Sequence, residues 1–194
     1  MPHGPAMKRA VFLDRDGVLN RAFVRAGRPY PPQALEELEI LPGVPEALAQ
    51  LRAAGFLNVV VTNQPDVGAG RQRREIVEAM HAELRRRLPI DLVKVCYHTD
   101  ADSCACRKPK PGMLLEAARE LGINLAASAI VGDRWRDVAA GQAAGCKAYF
   151  VEYGYAEKQP DKPYVAVKSL PEATAIILRS VQGGSEGKGE KTRE

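Results

Sequence analysis

Five short apolar runs, AVFL (10–13), LNVVVT (57–62), LVKVCY (92–97), SAIVG (128–132) and KAYFVE (147–152), alternate with longer stretches of helical spacing. The runs are almost continuously apolar, as strands are when both faces of their sheet are covered. Between them, VPEALAQLRAAG, QRREIVEAMHAELRRRL, GMLLEAARELG and RDVAAGQAAG place apolar residues at helical intervals. Three of these stretches stop at a glycine, and Pro111 stands just ahead of the third, which is how helices are punctuated. Alternation of this kind predicts an α/β fold, a doubly wound, Rossmann-like parallel sheet.

A chain of 194 residues is enough for one such domain, expected at 10–181. A flexible N-terminus (1–9) precedes it. The Gly-rich, charged segment QGGSEGKGEKTRE (182–194) reads as a disordered tail. Hydrophobic content of 45% and charge of 27% suit a soluble globular protein. The opening MPHGPAMKRA has no signal-like apolar core, and no run is long enough to cross a membrane, so a cytoplasmic protein is expected. The net charge of +4 is mild, and its clusters RQRRE and LRRRL fall on one helical stretch, where a solvated helix face is expected rather than a nucleic-acid patch. Neither nucleic acid nor a membrane is expected as a partner, and a monomer is expected.

Open α/β sheets bind ligands beyond the carboxyl ends of their strands. The first run ends in Asp14 and Asp16, the second in Thr62, Asn63 and Gln64, and the fourth in GDRWRD with Asp133 and Asp137. The third runs into a Cys/His-rich loop and then RKPKPG, with Arg107 and Lys108. Carboxylates brought this close cannot all stay ionised without a cation among them, and oxygen ligands of this kind suit Mg²⁺. The hydroxyl and amide of Thr62 and Asn63, with Arg107 and Lys108, offer donors to phosphate oxygens. Such a site can hold a phosphoryl group against a carboxylate, and an Asp can serve as the nucleophile. Asp137 reads equally as an acid in the first turn of a helix or as a support for the metal.

DRDG, VTNQ, RKPKPG and VGDRWRD, in that order, resemble the four motifs of the haloacid-dehalogenase (HAD) superfamily of phosphohydrolases, over roughly residues 10–180. The resemblance implies Asp14 as nucleophile and Asp16 as general acid and base. It implies Thr62, Asn63 and Lys108 as phosphate ligands. A catalytic Mg²⁺ would lie at Asp14, Asp133 and the backbone carbonyl of Asp16. Many members carry a cap domain. Here the intervals between DRDG and VTNQ, and between VTNQ and the Cys/His loop, are mostly helical, so no cap is expected.

CYHTDADSCAC places Cys96, His98, Cys104 and Cys106 close together. Three thiolates and an imidazole form a closed tetrahedral set for a structural Zn²⁺, and the loop would fix Arg107 and Lys108 relative to the nucleophile. The spacing resembles that of the subgroup holding histidinol-phosphate and heptose bisphosphate phosphatases. RKPKPGMLLEAA favours the heptose 1,7-bisphosphate 7-phosphatases, although Pro65, Asp66 and Arg134 depart from their pattern. A histidinol-phosphate phosphatase or another small-metabolite phosphatase, and a phospho-acceptor receiver-like domain, are the alternatives. Without a cap, the loop NRAFVRAGRPYPP and the zinc loop would grip the substrate. Arg107 is expected to meet a second anionic group, while Arg21, Arg25 and Arg28 read as solvated loop charges. Cys146 reads as a small buried residue, and His81 and His3 receive no role.

Overall fold

The computed structural model describes residues 7–182. Six parallel strands form the sheet, β1 (Arg9–Leu13), β4 (Phe56–Asn63), β5 (Leu92–Cys96), β6 (Ala129–Gly132), β7 (Lys147–Val151) and β8 (Val165–Val167), in the order β5-β4-β1-β6-β7-β8. The chain builds outward from β1 to β5, then returns to place β6 on the other side of β1 and builds outward again. The strand order therefore reverses between β1 and β6. This is the place where an open α/β sheet leaves a crevice beyond its strand ends.

Side chains alternate between two cores, one on each face. Val11 and Leu13 of β1, Val60 of β4 and Val131 of β6 pack on one side; Ala10, Phe12, Val59, Val61 and Ile130 pack on the other. The first face is covered by α1 (Val44–Ala53), α3 (Arg74–Arg87) and α6 (Leu170–Gln182), the second by α4 (Gly112–Leu121) and α5 (Trp135–Ala144). Both faces are buried, which explains the lack of alternation in the strand sequences. Truncating a fully buried residue such as Phe12 to alanine costs about 3–5 kcal/mol.

Several features depart from the sequence expectation. Lys8 and Arg9 are tied into the fold. The amide of Lys8 donates to Gly122 O, its carbonyl accepts from Asn124 N, and Arg9 opens β1. The rest of the N-terminal segment, 1–6, and the tail 183–194 lie outside the described residues. Gln182, placed in the tail by its polar neighbours, ends α6. That helix, which the sequence reading did not identify, buries Leu170, Ala173 and Ile177 and packs against α1. Strand β8 is only three residues long, too short for a period to show. Among the described residues no cap domain follows either β1 or β4, and no helix is long and apolar enough to cross a membrane. A short helix α2 (Pro65–Gly68) and α3 fill the interval after β4.

The loop 20–32 contains a small hairpin, β2 (Phe23–Arg25) and β3 (Arg28–Tyr30). Its two turn residues, Ala26 and Gly27, both have positive φ (49° and 73°), the twist that a two-residue hairpin turn requires. A Cβ on Gly27 would come within 2.9 Å of Ala156 Cβ, and the Gly27 carbonyl accepts from Ala156 N. The hairpin is thus docked on the segment that follows β7.

Candidate active site

At the switch point, β1 continues one residue past its end as Asp14 N donates to Val131 O at 3.0 Å. The chain then turns sharply, with Leu19 and Asn20 donating to Arg15 O. Gly17, at φ 89°, lies against Asp133, and a Cβ there would stand 2.0 Å from Asp133 Oδ2. The glycine of DRDG is therefore required in order to admit the carboxylate at the end of β6.

Lys108 reaches under the site from the loop after β5 and is almost fully buried. Its Nζ donates to Asp14 Oδ1 (2.9 Å), Val61 O (2.8 Å) and Asp137 Oδ1 (2.5 Å). Burial alone would discharge this lysine, but the Asp137 and Asp14 carboxylates overcome it and push its pKa up. Asn63 fastens the lysine's backbone. Its Nδ2 donates to Lys108 O and its Oδ1 accepts from Lys108 N. Thr62 is buried; its hydroxyl accepts from Gln64 Nε2, which leaves the hydroxyl proton available. Asn63 lines the cavity and Thr62 does not.

Asp14, Asp133 and Asp137 each offer an oxygen within 4.8 Å of the others. They are not equivalent. Asp137 holds Lys108 with one oxygen, and its Oδ2 accepts from Arg134 N, capping α5. Both readings of this acid are thus visible in its contacts, one at the helix terminus and one beside the cluster. Asp133 is buried and neither of its oxygens has a hydrogen-bond partner. Burial, then the charges of Asp14 and Asp137, drive its pKa well above the usual carboxylate range. Burial and Asp137 likewise raise Asp14 to about 6. A hard dication between Asp14 and Asp133 would remove both penalties, so the donor set fits Mg²⁺. The side chain of Asp16 turns away from this cluster. Its oxygens accept from Arg15, Asn20 and Gln64, so only its backbone is free to face the metal.

The second cluster is sulfur-rich. Cys106 Sγ lies 3.3 Å from Cys96 Sγ, 3.4 Å from Cys104 Sγ and 3.3 Å from His98 Nδ1; Cys96 Sγ lies 3.7 Å from both Cys104 Sγ and His98 Nδ1. A tetrahedral zinc with Zn–S bonds of about 2.3 Å separates its sulfurs by about 3.8 Å, close to these edges. Burial and the neighbouring Cys106 push Cys96 up to about 12, and a dication would reverse that. No described cysteine is in a disulfide. The loop also carries Asp100, whose Oδ1 accepts from Arg107 Nε at 2.7 Å.

A cavity of about 220 Å³ opens over the carboxylates, walled by Asp14, Asp133, Lys108, Arg107, Arg134 and Arg136. Pro29, Tyr30 and Pro31 of the hairpin form its other side. Arg21 and Arg25 do not line it. Arg21 pairs with Glu39 on the surface and Arg25 covers the Tyr30 ring. The guanidinium of Arg107 has a buried NH1 without a partner, and Arg136 a buried Nε in the same condition. The sequence reading missed Arg136, although its place between Asp133 and Asp137, at the start of a helix facing the strand ends, was the available signal. Gln64 and Asn20 are both buried and bonded to Asp16; the sequence reading placed Gln64 at a strand end without giving it a role and gave Asn20 none.

Comparisons with known proteins point the same way. A sequence model described as HAD-hydrolase-like matches residues 105–173. The D-glycero-beta-D-manno-heptose-1,7-bisphosphate 7-phosphatase of Bordetella bronchiseptica is 35% identical over 176 residues, covering 87% of this chain and 91% of that one. The protein of the same name from Pasteurella multocida is 40% identical over 154 residues, covering 73% and 79%. The crystal structure of D,D-heptose 1,7-bisphosphate phosphatase from B. bronchiseptica, complexed with magnesium and phosphate, superposes with a TM-score of 0.76 and 30% identity, over 89% of this chain and 99% of that chain.

Proposed function

The chain belongs to the HAD family of phosphoric monoester hydrolases, and from that premise we propose that it removes the 7-phosphate of a heptose 1,7-bisphosphate. The observation that carries this reading is the paired arrangement of Asp14, engaged by Lys108, with partnerless arginine donors on Arg107 and Arg136 along one cavity. One phosphate would be transferred at the first position while the second rests at the arginines.

Asp14 attacks phosphorus, and the bond from phosphorus to the sugar oxygen breaks as Asp16 gives that oxygen a proton. Asp16 then takes a proton from the water that attacks the aspartyl-phosphate, which returns Asp14 and releases phosphate. Lys108 neutralises charge on the transferring group, and Asn63 holds the Lys108 backbone in place. Thr62, which the resemblance makes a phosphate ligand, lies behind the cavity wall and would reach the phosphate only if its free hydroxyl proton turned toward the cavity. Asp14, Asp133 and the Asp16 carbonyl would hold Mg²⁺, which when bound supplies charge stabilisation at the phosphoryl oxygens. Zinc at the cysteine cluster would keep Arg107 and Lys108 in place. Every group named belongs to one chain, so a monomer is sufficient. Free thiols in the zinc set suit the reducing cytoplasm.

The test is kcat/KM on heptose 1,7-bisphosphate, the 7-monophosphate and histidinol phosphate. A charge-assisted contact contributes about 1.5–3 kcal/mol, or roughly ten- to a hundredfold. Arg107→Ala should therefore lower the bisphosphate rate by that factor and the monophosphate rate by much less. A clear preference for histidinol phosphate, or equal losses on both sugars, would overturn the substrate.

A further inference from the structure

Helix α3 carries a buried histidine to which the reaction above gives no task. His81 is 4% exposed, and its Nε2 lies 3.2 Å from NH1 of Arg15. A guanidinium can only donate, so Nε2 accepts and the ring proton sits on Nδ1, which faces Glu78 Oε2 at 3.6 Å. Burial, and then the charge of Arg15, push the His81 pKa down to about 4, so the ring is neutral at pH 7 and remains an acceptor.

Arg15 is fully buried. Its remaining donors form a fork on Asp16, Nε to Oδ1 at 3.0 Å and NH2 to Oδ2 at 2.9 Å. Such a fork fixes the carboxylate plane as well as its distance. The guanidinium is itself planar, so the imidazole that holds its third nitrogen also fixes the tilt of the fork. Glu78 is anchored in turn, accepting from the Tyr97 hydroxyl and lying 3.8 Å from Arg74. A chain of contacts thus runs from α3 and the residue that follows β5 to Asp16, away from the cavity. A satisfied buried arginine would need an acceptor there. It would not need that acceptor to be a rigid ring that is held neutral.

We propose that His81 is a positioning residue which, through Arg15, sets the orientation in which Asp16 passes its proton to the leaving oxygen. The inference rests on the reading of Asp16 as general acid. A sugar alkoxide needs that proton, whereas nitrophenolate leaves without it. His81→Leu should accordingly lower kcat/KM for a sugar phosphate by about tenfold or more and leave nitrophenyl phosphate within about twofold. His81→Gln, whose amide oxygen can accept from Arg15, should recover most of the loss. In an Asp16→Asn background, His81→Leu should add nothing further. Arg15→Lys, which keeps the charge and loses the fork, provides the same comparison should the leucine variant fold poorly. Equal losses on both substrates, or no loss, in whichever variant is folded would overturn the proposal. The Asp16→Asn single variant, measured on the same two substrates, separates the failures. If it shows no leaving-group dependence, the assignment of Asp16 falls; if it does and the His81 and Arg15 variants do not, only the positioning role falls.

Discussion

The ammonium of Lys108 lies 2.9 Å from Oδ1 of Asp14, inside a site where both side chains are almost completely removed from water. The same nitrogen holds Asp137, so one cation separates two buried carboxylates that would otherwise repel.

Lys108→Met should therefore damage both stability and catalysis. Removing one member of a buried ion pair costs about 3–5 kcal/mol, because the remaining charge is left unpaired. Loss of charge stabilisation on the transferring phosphoryl group lowers kcat by roughly a hundred- to a thousandfold. Denaturant unfolding and steady-state rates measure the two effects. A variant of wild-type stability would show that the carboxylates are neutralised by something other than this lysine.

The raised pKa of Asp14 gives a signed pH dependence. In the metal-free chain it titrates at about 6 against a reference of 3.8, so between these values the folded state binds a proton that the unfolded state has lost. Stability of the metal-free protein should consequently fall as pH rises from roughly 4 to 6. Mg²⁺ competes with that proton, so its affinity should weaken as pH drops below about 6. Unfolding curves with and without Mg²⁺ across this range check both, and a metal-free stability that rises with pH there would contradict the assignment.

The zinc cluster predicts a metal that survives purification and plays no direct part in turnover. Cys104→Ala or Cys106→Ala should lose it and lower activity by freeing Arg107 and Lys108, whereas mild chelation should remove only the Mg²⁺-dependent activity. Elemental analysis of protein made under reducing conditions is the check. Absence of zinc there would refute the cluster's role.

Much of the site was legible because an α/β sheet gathers its strand ends, and Asp14, Asn63, Lys108 and Asp133 each stand at or near such an end. The sulfur cluster was legible from residue type and close spacing alone. What escaped had no local signal. The Asp16 contact from Gln64 and the Arg15–His81 pair join segments far apart in sequence, and only the packing of α3 brings His81 to β1. Asn20 is four residues from Asp16, and the turn that aims it there has no signature in residue type. Strand β8 and the hairpin β2–β3 are three-residue strands whose pairing depends on neighbours rather than on periodicity. Arg136 lay within a motif that had been read for its acids.

The role of Asp14 is open to direct measurement by acid-quenching the enzyme during turnover of heptose 1,7-bisphosphate with Mg²⁺ and mapping phosphoryl adducts by mass spectrometry. A phosphoryl group on the peptide carrying Asp14, absent from Asp14→Asn together with turnover, is the predicted result. Sustained turnover by Asp14→Asn free of deamidation, or an adduct on any other residue, would contradict it.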